Sequence, residues 1–465
     1  MLNLVALNIA NGFTSGGGGA ILGDNGSTIN TAGVSFIGNA AYGDGGAIYS
    51  NGSVNILATN FSANQALGKH PANGQSNPNT GHGGAIYISG SGSLNIALSN
   101  LSANTASKSG GGVYVGQSTT ATISDNNFAA NVAGGGGDNR AGGGALYNSA
   151  GTVSLIRSTF NANLSLRGYG GAIFNQLSSS GFTIEDSSFN ANVVQKNDDN
   201  GGFGGAIYTE EDMSITRSTF NANVVQADNG RGGAIANNRA AILRVTNSTF
   251  MANVVTQFAS VVPAGAGGAI ANYDNPFPVS SESTVELRNV TLFLNKAGDD
   301  AGLYNANGES IKLWNTILDH GLNAAPLCSG TAPENMGNNI QSDGTSCGAG
   351  IPTADPKLNP PDFNGGAITS LLSLMPKTDS PAVDAGNESI CTGNYVNGED
   401  QRAKSRPKDG NGDGTSSCDI GAIEADTAEV GFASNPVAPT IDFGVATIAG
   451  QFALLVAHRN RQPQP

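Results

Sequence analysis

Two short elements alternate along the first two-thirds of this chain, and few folds accommodate them. The first is a glycine-rich approach that ends in a small residue and an aliphatic one. Its aliphatic residues are Ile21, Ile48, Ile86, Val113, Leu146, Ile173, Ile207, Ile235, Ile270 and Leu303. The second is Phe-x-x-Asn or a close variant, at Phe36/Asn39, Phe61/Asn64, Leu101/Asn104, Phe128/Asn131, Phe160/Asn163, Phe189/Asn192, Phe220/Asn223, Phe250/Asn253 and Leu292/Asn295. A degenerate last copy is read at Ile317/His320. The shortest spacing between stations is 27 residues. A fixed period of this size is the mark of a solenoid. Within each repeat the apolar residues alternate with period two, as in SVNIL and TVSLI, which suits strands rather than helices. Short strands at one period, with no crossover helices, predict an all-β parallel β-helix of about ten coils, each rising about 4.8 Å along the axis.

In a stacked coil every residue meets its own counterpart above and below. The Phe column is therefore expected to stack inside the rod. The Asn column is expected to take a left-handed turn conformation while its amide bonds to the next Asn. The paired glycines permit positive φ or close backbone approach. On this reading the hexapeptide STFNAN, at 158–163 and again at 218–223, is a scaffold part. From station to following Phe or Leu takes 13 to 16 residues in eight of nine repeats, whereas from Asn to the next station takes 8 to 22. Insertions therefore collect on one edge, notably at 65–82, 132–142, 193–203 and 254–265. Loops on such an edge can vary in recognition without disturbing the scaffold.

Composition agrees with a scaffold of this kind. Glycine accounts for 67 of 465 residues, and charged residues are only 12% against a typical ~25%. A formal charge of −14 argues against nucleic acid or an anionic membrane surface as partner. The four cysteines, Cys328, Cys347, Cys391 and Cys418, all lie in the last third, which suggests two local disulfides and an oxidising compartment. Four cysteines allow three pairings. Proximity favours Cys328–Cys347 and Cys391–Cys418. The opening MLNLVALNIANGF has no basic n-region or long apolar run, so it reads as a strand rather than a signal peptide. An exported chain without that signal is expected to be a fragment or to carry a misplaced start.

The alternation of GGA[ILV] with FxxN over about residues 1–325 resembles the repeat of chlamydial polymorphic outer-membrane proteins and related bacterial surface β-helices. This resemblance implies a right-handed parallel β-helix. Residues 326–425 are similar to the choice-of-anchor Q region of bacterial surface proteins. The matching residues are Asp355-Pro356, Asn364-Gly365-Gly366, Ser380-Pro381-Ala382, Asp384-Ala385-Gly386, Asp400-Gln401-Arg402 and Cys418-Asp419-Ile420-Gly421. Ala403 stands where that region usually has Gly. Its expected role is an irregular, disulfide-bonded cap over the open end of the helix, where unpaired strand edges need cover. Residues 426–465 read as a linker or a truncated tail. Their apolar stretch before Arg459 and Arg461 is like a sorting anchor but too short to span a bilayer.

Four features bear on chemistry. Asp409, Asn411, Asp413 and Gly414 match the start of a calcium loop, but Ile420 stands where the bidentate acid belongs and Asp419 falls one place early. A structural Ca²⁺ on Asp409, Asn411, Asp413 and Asp419 is the one cofactor the sequence raises, against a plain polar turn. The residues after the aliphatic stations form an aromatic column, Tyr49, Tyr87, Tyr114, Tyr147, Phe174, Tyr208 and Tyr304, which strand alternation places outside. Such a column binds sugar rings or braces itself. The scarce acids, Asp198, Asp199, Glu210, Glu211, Asp212, Asp228, Asp299 and Asp300, lie mostly in insertions and form no facing pair of the kind glycoside hydrolysis needs. Finally, His70, His82, His320 and His458 show no metal spacing. The sequence thus reads as a monomeric bacterial surface or secreted β-helix that acts as an adhesin or structural module toward extracellular glycans or neighbouring cells. Any membrane contact is expected only through a C-terminal anchor. The alternative is a carbohydrate-active enzyme of pectate-lyase-like fold.

Overall fold

A computed structural model describes residues 1–69, 77, 79–135, 140–177, 181–196, 201–257, 265–274, 282–298, 302–321, 326–365, 371–426, 443–448 and 451–456. His70, Asp198, Asp199, Asp299, Asp300, Gly366 and His458 lie outside these residues. The chain is a parallel β-helix. Most coils place two strands in a 22-stranded sheet (sheet 1), merged into one long strand at Ile242–Met251 and at Thr284–Phe293, with one strand in a ten-stranded sheet (sheet 2) and one in an eleven-stranded sheet (sheet 3). We number the coils 1 to 11 along the chain by their strand in sheet 3.

Every aliphatic station opens a strand of sheet 3, and the parallel register joins them in one column from Ile21↔Ile48 to Ile270↔Leu303. Cys328 extends this column by one more coil. The station residues project inward with the FxxN aromatics and the alternate apolar residues of sheet 1, forming one continuous core. Phe128, Phe160, Phe189, Phe220 and Phe250 stack at 4.6 to 4.9 Å between ring centroids, all fully buried. The paired glycines divide the two jobs foreseen for them. Gly83 takes φ +64°, and a Cβ on Gly84 would lie 2.1 Å from the Gly111 carbonyl oxygen of the next coil.

The hexapeptide can now be read residue by residue. In 187–192, Ser187 and Asn192 are buried, Phe189 is in the core and Ala191 has φ 51°. The left-handed residue is thus the alanine before the asparagine, not the asparagine itself. Asn192 is held inside: its Nδ2 donates to Asn223 Oδ1 (2.9 Å) and to the Phe160 carbonyl (3.0 Å), and its Oδ1 accepts from Asn163. This ladder is unbroken from Asn39 to Asn295. Strain at the alanine, about 1–2 kcal/mol for a left-handed L-residue, is offset by satisfying buried amide groups at every coil.

Two further expectations change. Leu292 pairs with Leu318, so the last copy of the Phe column is Leu318 rather than Ile317. A shift of one residue reverses the face, and Ile317 packs outward against Ile420 and Ala382. The C-terminal region also does more than close the end. Cys328 is bonded to Cys347, and both join Ile351 in sealing the last coil of the core. The chain then turns back and lies along the outer face of sheet 1. There Gly421 N donates to the Asn315 carbonyl (2.8 Å), Ala422 N to Thr291 Oγ1 (3.0 Å) and Asn247 Nδ2 to the Glu399 carbonyl (2.9 Å). The second disulfide, Cys391–Cys418, lies against this face, where Asn289 and Asn315 donate to the Cys391 sulfur. The only described helix is one short turn, Glu388–Cys391, capped by Asn387. In the tail, Phe443–Ile448 pairs antiparallel with Gln451–Val456.

Candidate functional site

The aromatic column occupies the middle residue of seven of the eleven sheet 3 strands, pointing away from the core. Tyr49, Tyr87, Tyr114 and Tyr147 stack at 4.8 to 5.1 Å with planes within 12° of parallel. Each interior ring therefore presents both faces to its neighbours and only an edge to solvent. That geometry suits mutual bracing better than stacking on a sugar ring, which needs a free aromatic face.

Above Tyr147 the column is covered. Just before their stations, Gly142, Tyr169, Phe203, Arg231 and Ala266 form a fourth parallel ladder that lies over the rings. Phe174 and Tyr208 are fully buried beneath it and meet edge-on. Ala236 and Ala271 interrupt the column, and Tyr273 packs into the cluster at that level. The Arg231 guanidinium lies 4.9 Å from both the Tyr273 and Tyr304 rings. Outward alternation was correct as geometry, but the insertions fold over part of the column, so Phe174 and Tyr208 form a second small core. Burial raises the Tyr208 and Tyr273 hydroxyls well above their ordinary value.

The accessible part of this edge is the stretch around Tyr49. A cleft of about 340 Å³ is lined there by Tyr49, Asp44, Leu22, Lys69, Asn77 and Thr80, among others. Asp44 Oδ1 accepts from the backbone N–H groups of Gly81 and His82 at 2.7 and 2.8 Å, which ties the end of the 65–82 insertion to the coil beneath. Burial raises the Asp44 carboxyl despite these two bonds. The His82 ring rests 4.9 Å from Tyr114. His82 is thus part of the loop's packing.

Among the described members of the scarce acids, Glu210 and Asp212 are engaged in structure. Glu210 is almost wholly buried and pairs with Arg140 and Arg239, while its Oε1 accepts from the Tyr208 hydroxyl at 3.0 Å. Asp212 accepts from Ile242 N at 2.8 Å.

The four residues of the calcium reading make backbone contacts of their own. Asp409 accepts from the N–H groups of Gly412, Asp413 and Gly414, and Asp413 from that of Thr415, so the loop is a run of polar turns. Asp419 is buried elsewhere, accepting from Asp384 N and Ala425 N. Among the described residues no group of three His, Cys, Asp or Glu is placed to hold a metal. Asp419 belongs instead to a buried charge cluster with Asp400, Glu424, Arg402 and Arg406. Arg402 pairs with Asp400 at 2.6 Å, and Arg406 Nε lies 3.7 Å from Glu424. Burial and the Glu424 carboxylate push the Asp419 carboxyl up to about 8. Burial pushes Glu424 up to about 6, with Arg406 opposing.

Two functional groups of residues escaped the sequence reading. One is a second polar ladder, in which the N–H of Ser158 donates to Ser187 Oγ and that of Ser187 to Ser218 Oγ. Its signal was the first letter of STFNAN. The other is the docking role of Gln401, named in the sequence only within the Asp400-Gln401-Arg402 match: its side chain joins Thr219 (2.9 Å), the Leu372 carbonyl (3.2 Å) and Thr249, and so fastens the C-terminal region to the rod. No local pattern announces which outward hydroxyls such a residue will meet. The chain matches no family model, no curated protein and no solved structure.

Proposed function

We propose that this chain is an extracytoplasmic β-helix rod of a bacterial surface, acting as an adhesin or structural surface module. The observation that carries the reading is the separation of scaffold from edge. The Asn ladder runs without a break beneath the insertion at 65–82, through Asn64 and Asn104, while that insertion leaves between sheets 2 and 3. A rod of this kind holds variable loops at fixed positions along one side, as surface recognition requires. Two disulfides support an oxidising location. The resemblance of the repeat to polymorphic outer-membrane proteins, and of 326–425 to choice-of-anchor Q regions, supports a bacterial surface setting. The test compares attachment of the full chain to cells with that of a variant in which residues 70–79 of this insertion are replaced by a short turn, leaving the sheet 2 strand Gln65–Ala66 and the Asp44 bonds to Gly81 and His82 in place. Attachment should fall while the thermal transition stays in place. Unchanged attachment by a folded variant removes this edge from the adhesin.

A further inference from the structure

The outer face of sheet 1 carries a different surface on coils 1 to 6. Its strands there read LNLV, TINTA, SVNIL, SLNIA, TATIS and TVSLI, with no charged residue among them, in a chain of net charge −14. Asn3, Asn30, Asn55 and Asn95 align on the outside in register. Each amide donates to the one before it: Asn30 Nδ2 to Asn3 Oδ1 (2.6 Å), Asn55 to Asn30 (2.8 Å) and Asn95 to Asn55 (2.7 Å). An amide has two N–H groups and two carbonyl lone pairs. The row contacts use one of each on Asn30 and Asn55, which leaves a donor and an acceptor per coil for a ligand. Beside this row run Val5, Ala32 and Leu57, with Val5 67% and Leu57 48% exposed. The short Ala32 between them leaves a hollow of about 460 Å³, walled by aliphatic carbon on one side and amides on the other.

We propose that this groove binds a neutral, extended β-1,4-linked polysaccharide laid along the rod axis, which deepens the adhesin reading above and rests on it. Three physical matches select that class. Successive coils are about 4.8 Å apart, nearly the advance of one β-1,4-linked pyranose, so a chain can repeat one contact per coil. A pyranose offers hydroxyls at its rim and C–H groups on its face, complementary to the amide row and to Val5 and Leu57. An uncharged groove on an acidic protein admits a neutral chain and disfavours a polyanion.

The test uses the full chain on insoluble amorphous cellulose and on chitin, with polygalacturonate as competitor. The parent should be retained on at least one matrix, and polygalacturonate should not displace it. Ala32→Trp, which fills the hollow, and Leu57→Asp, which charges its wall, should each weaken retention at least tenfold with the melting transition unchanged. Tyr395→Ala, which removes an exposed ring of the C-terminal region, should leave retention as in the parent. No retention on either matrix overturns the proposal, as does retention that both groove variants preserve. Cell attachment measured in parallel separates the two ideas: attachment without glycan retention rejects the groove and keeps the adhesin, whereas loss of both rejects the adhesin as well.

Discussion

Coils 1 to 6 and coils 8 to 11 share one interior but differ on the outer face of sheet 1. On the first group that face is bare, uncharged and lined by Asn, Ser, Thr and small aliphatics. On the second it bears Arg244, Glu286, Arg288 and Lys312, and the C-terminal region lies over it through Glu399, Gln401 and Asn387. From coil 5 to coil 8 an alternating ion series climbs the corner of the sheet, Asp125 with Arg157 and then Asp186 with Arg217, and passes to Glu399 of the C-terminal region. The contrast shows how a solenoid separates its duties. Inward positions are held to one solution by stacking, while outward positions are free to become a docking site in one stretch and an open surface in another.

The comparison can be broken most severely at the shared interior. Phe61→Ala on the bare half and Phe220→Ala on the covered half remove equally buried, stacked rings. Both should lower stability by about 3–5 kcal/mol, read from denaturant midpoints. If Phe220→Ala alone is costly, the covering region and not the core sets the stability of that half.

A smaller and more local effect is expected at the dock. Gln401→Ala should destabilise the C-terminal region by about 1–3 kcal/mol by stranding the buried Thr249 hydroxyl, whereas the Thr219 hydroxyl keeps its bond to the Leu372 carbonyl. Hydrogen exchange should then speed up across 371–425 and stay unchanged in coils 1 to 6. Uniform protection would show that the disulfide at Cys391–Cys418 holds the region without Gln401.

Acidity should distinguish the halves next. The Asp419 carboxyl is raised, so the folded state holds its proton more tightly than the unfolded chain. Its contribution is complete below the ordinary carboxylate range near pH 4 and is lost as pH climbs through about 8. Proteolysis within 371–425 should therefore quicken between about pH 4 and 8 and level off above it, and Asp419→Asn should flatten that rise. Coils 1 to 6 hold the single raised carboxyl of Asp44 rather than such a cluster among their described residues, so the matching change there should be smaller. The smallest effect belongs to the corner. Arg157→Ala opens a largely exposed pair with Asp125 and should cost less than about 1 kcal/mol, less still at high salt.

Periodicity alone determined the coil, the inward faces of Phe and station residues, the edge from which insertions leave and the need for a glycine pair. These follow from local constraints that recur at every coil: alternation assigns the faces, and a stacked position must suit a copy of itself. Which glycine takes which task came from the structure. The sequence could not place the left-handed residue, because both Ala191 and Asn192 fit the turn until the ladder claims the amide. It also misplaced the last Phe equivalent, since Ile317 and Leu318 are equally apolar and only pairing with Leu292 separates them. The cover over Phe174 and Tyr208, the return of 371–425 along coils 8 to 11 and the burial of Asp419 away from Asp409 were decided by tertiary structure. Each depends on contacts between residues far apart in the chain, and such contacts leave no period to read.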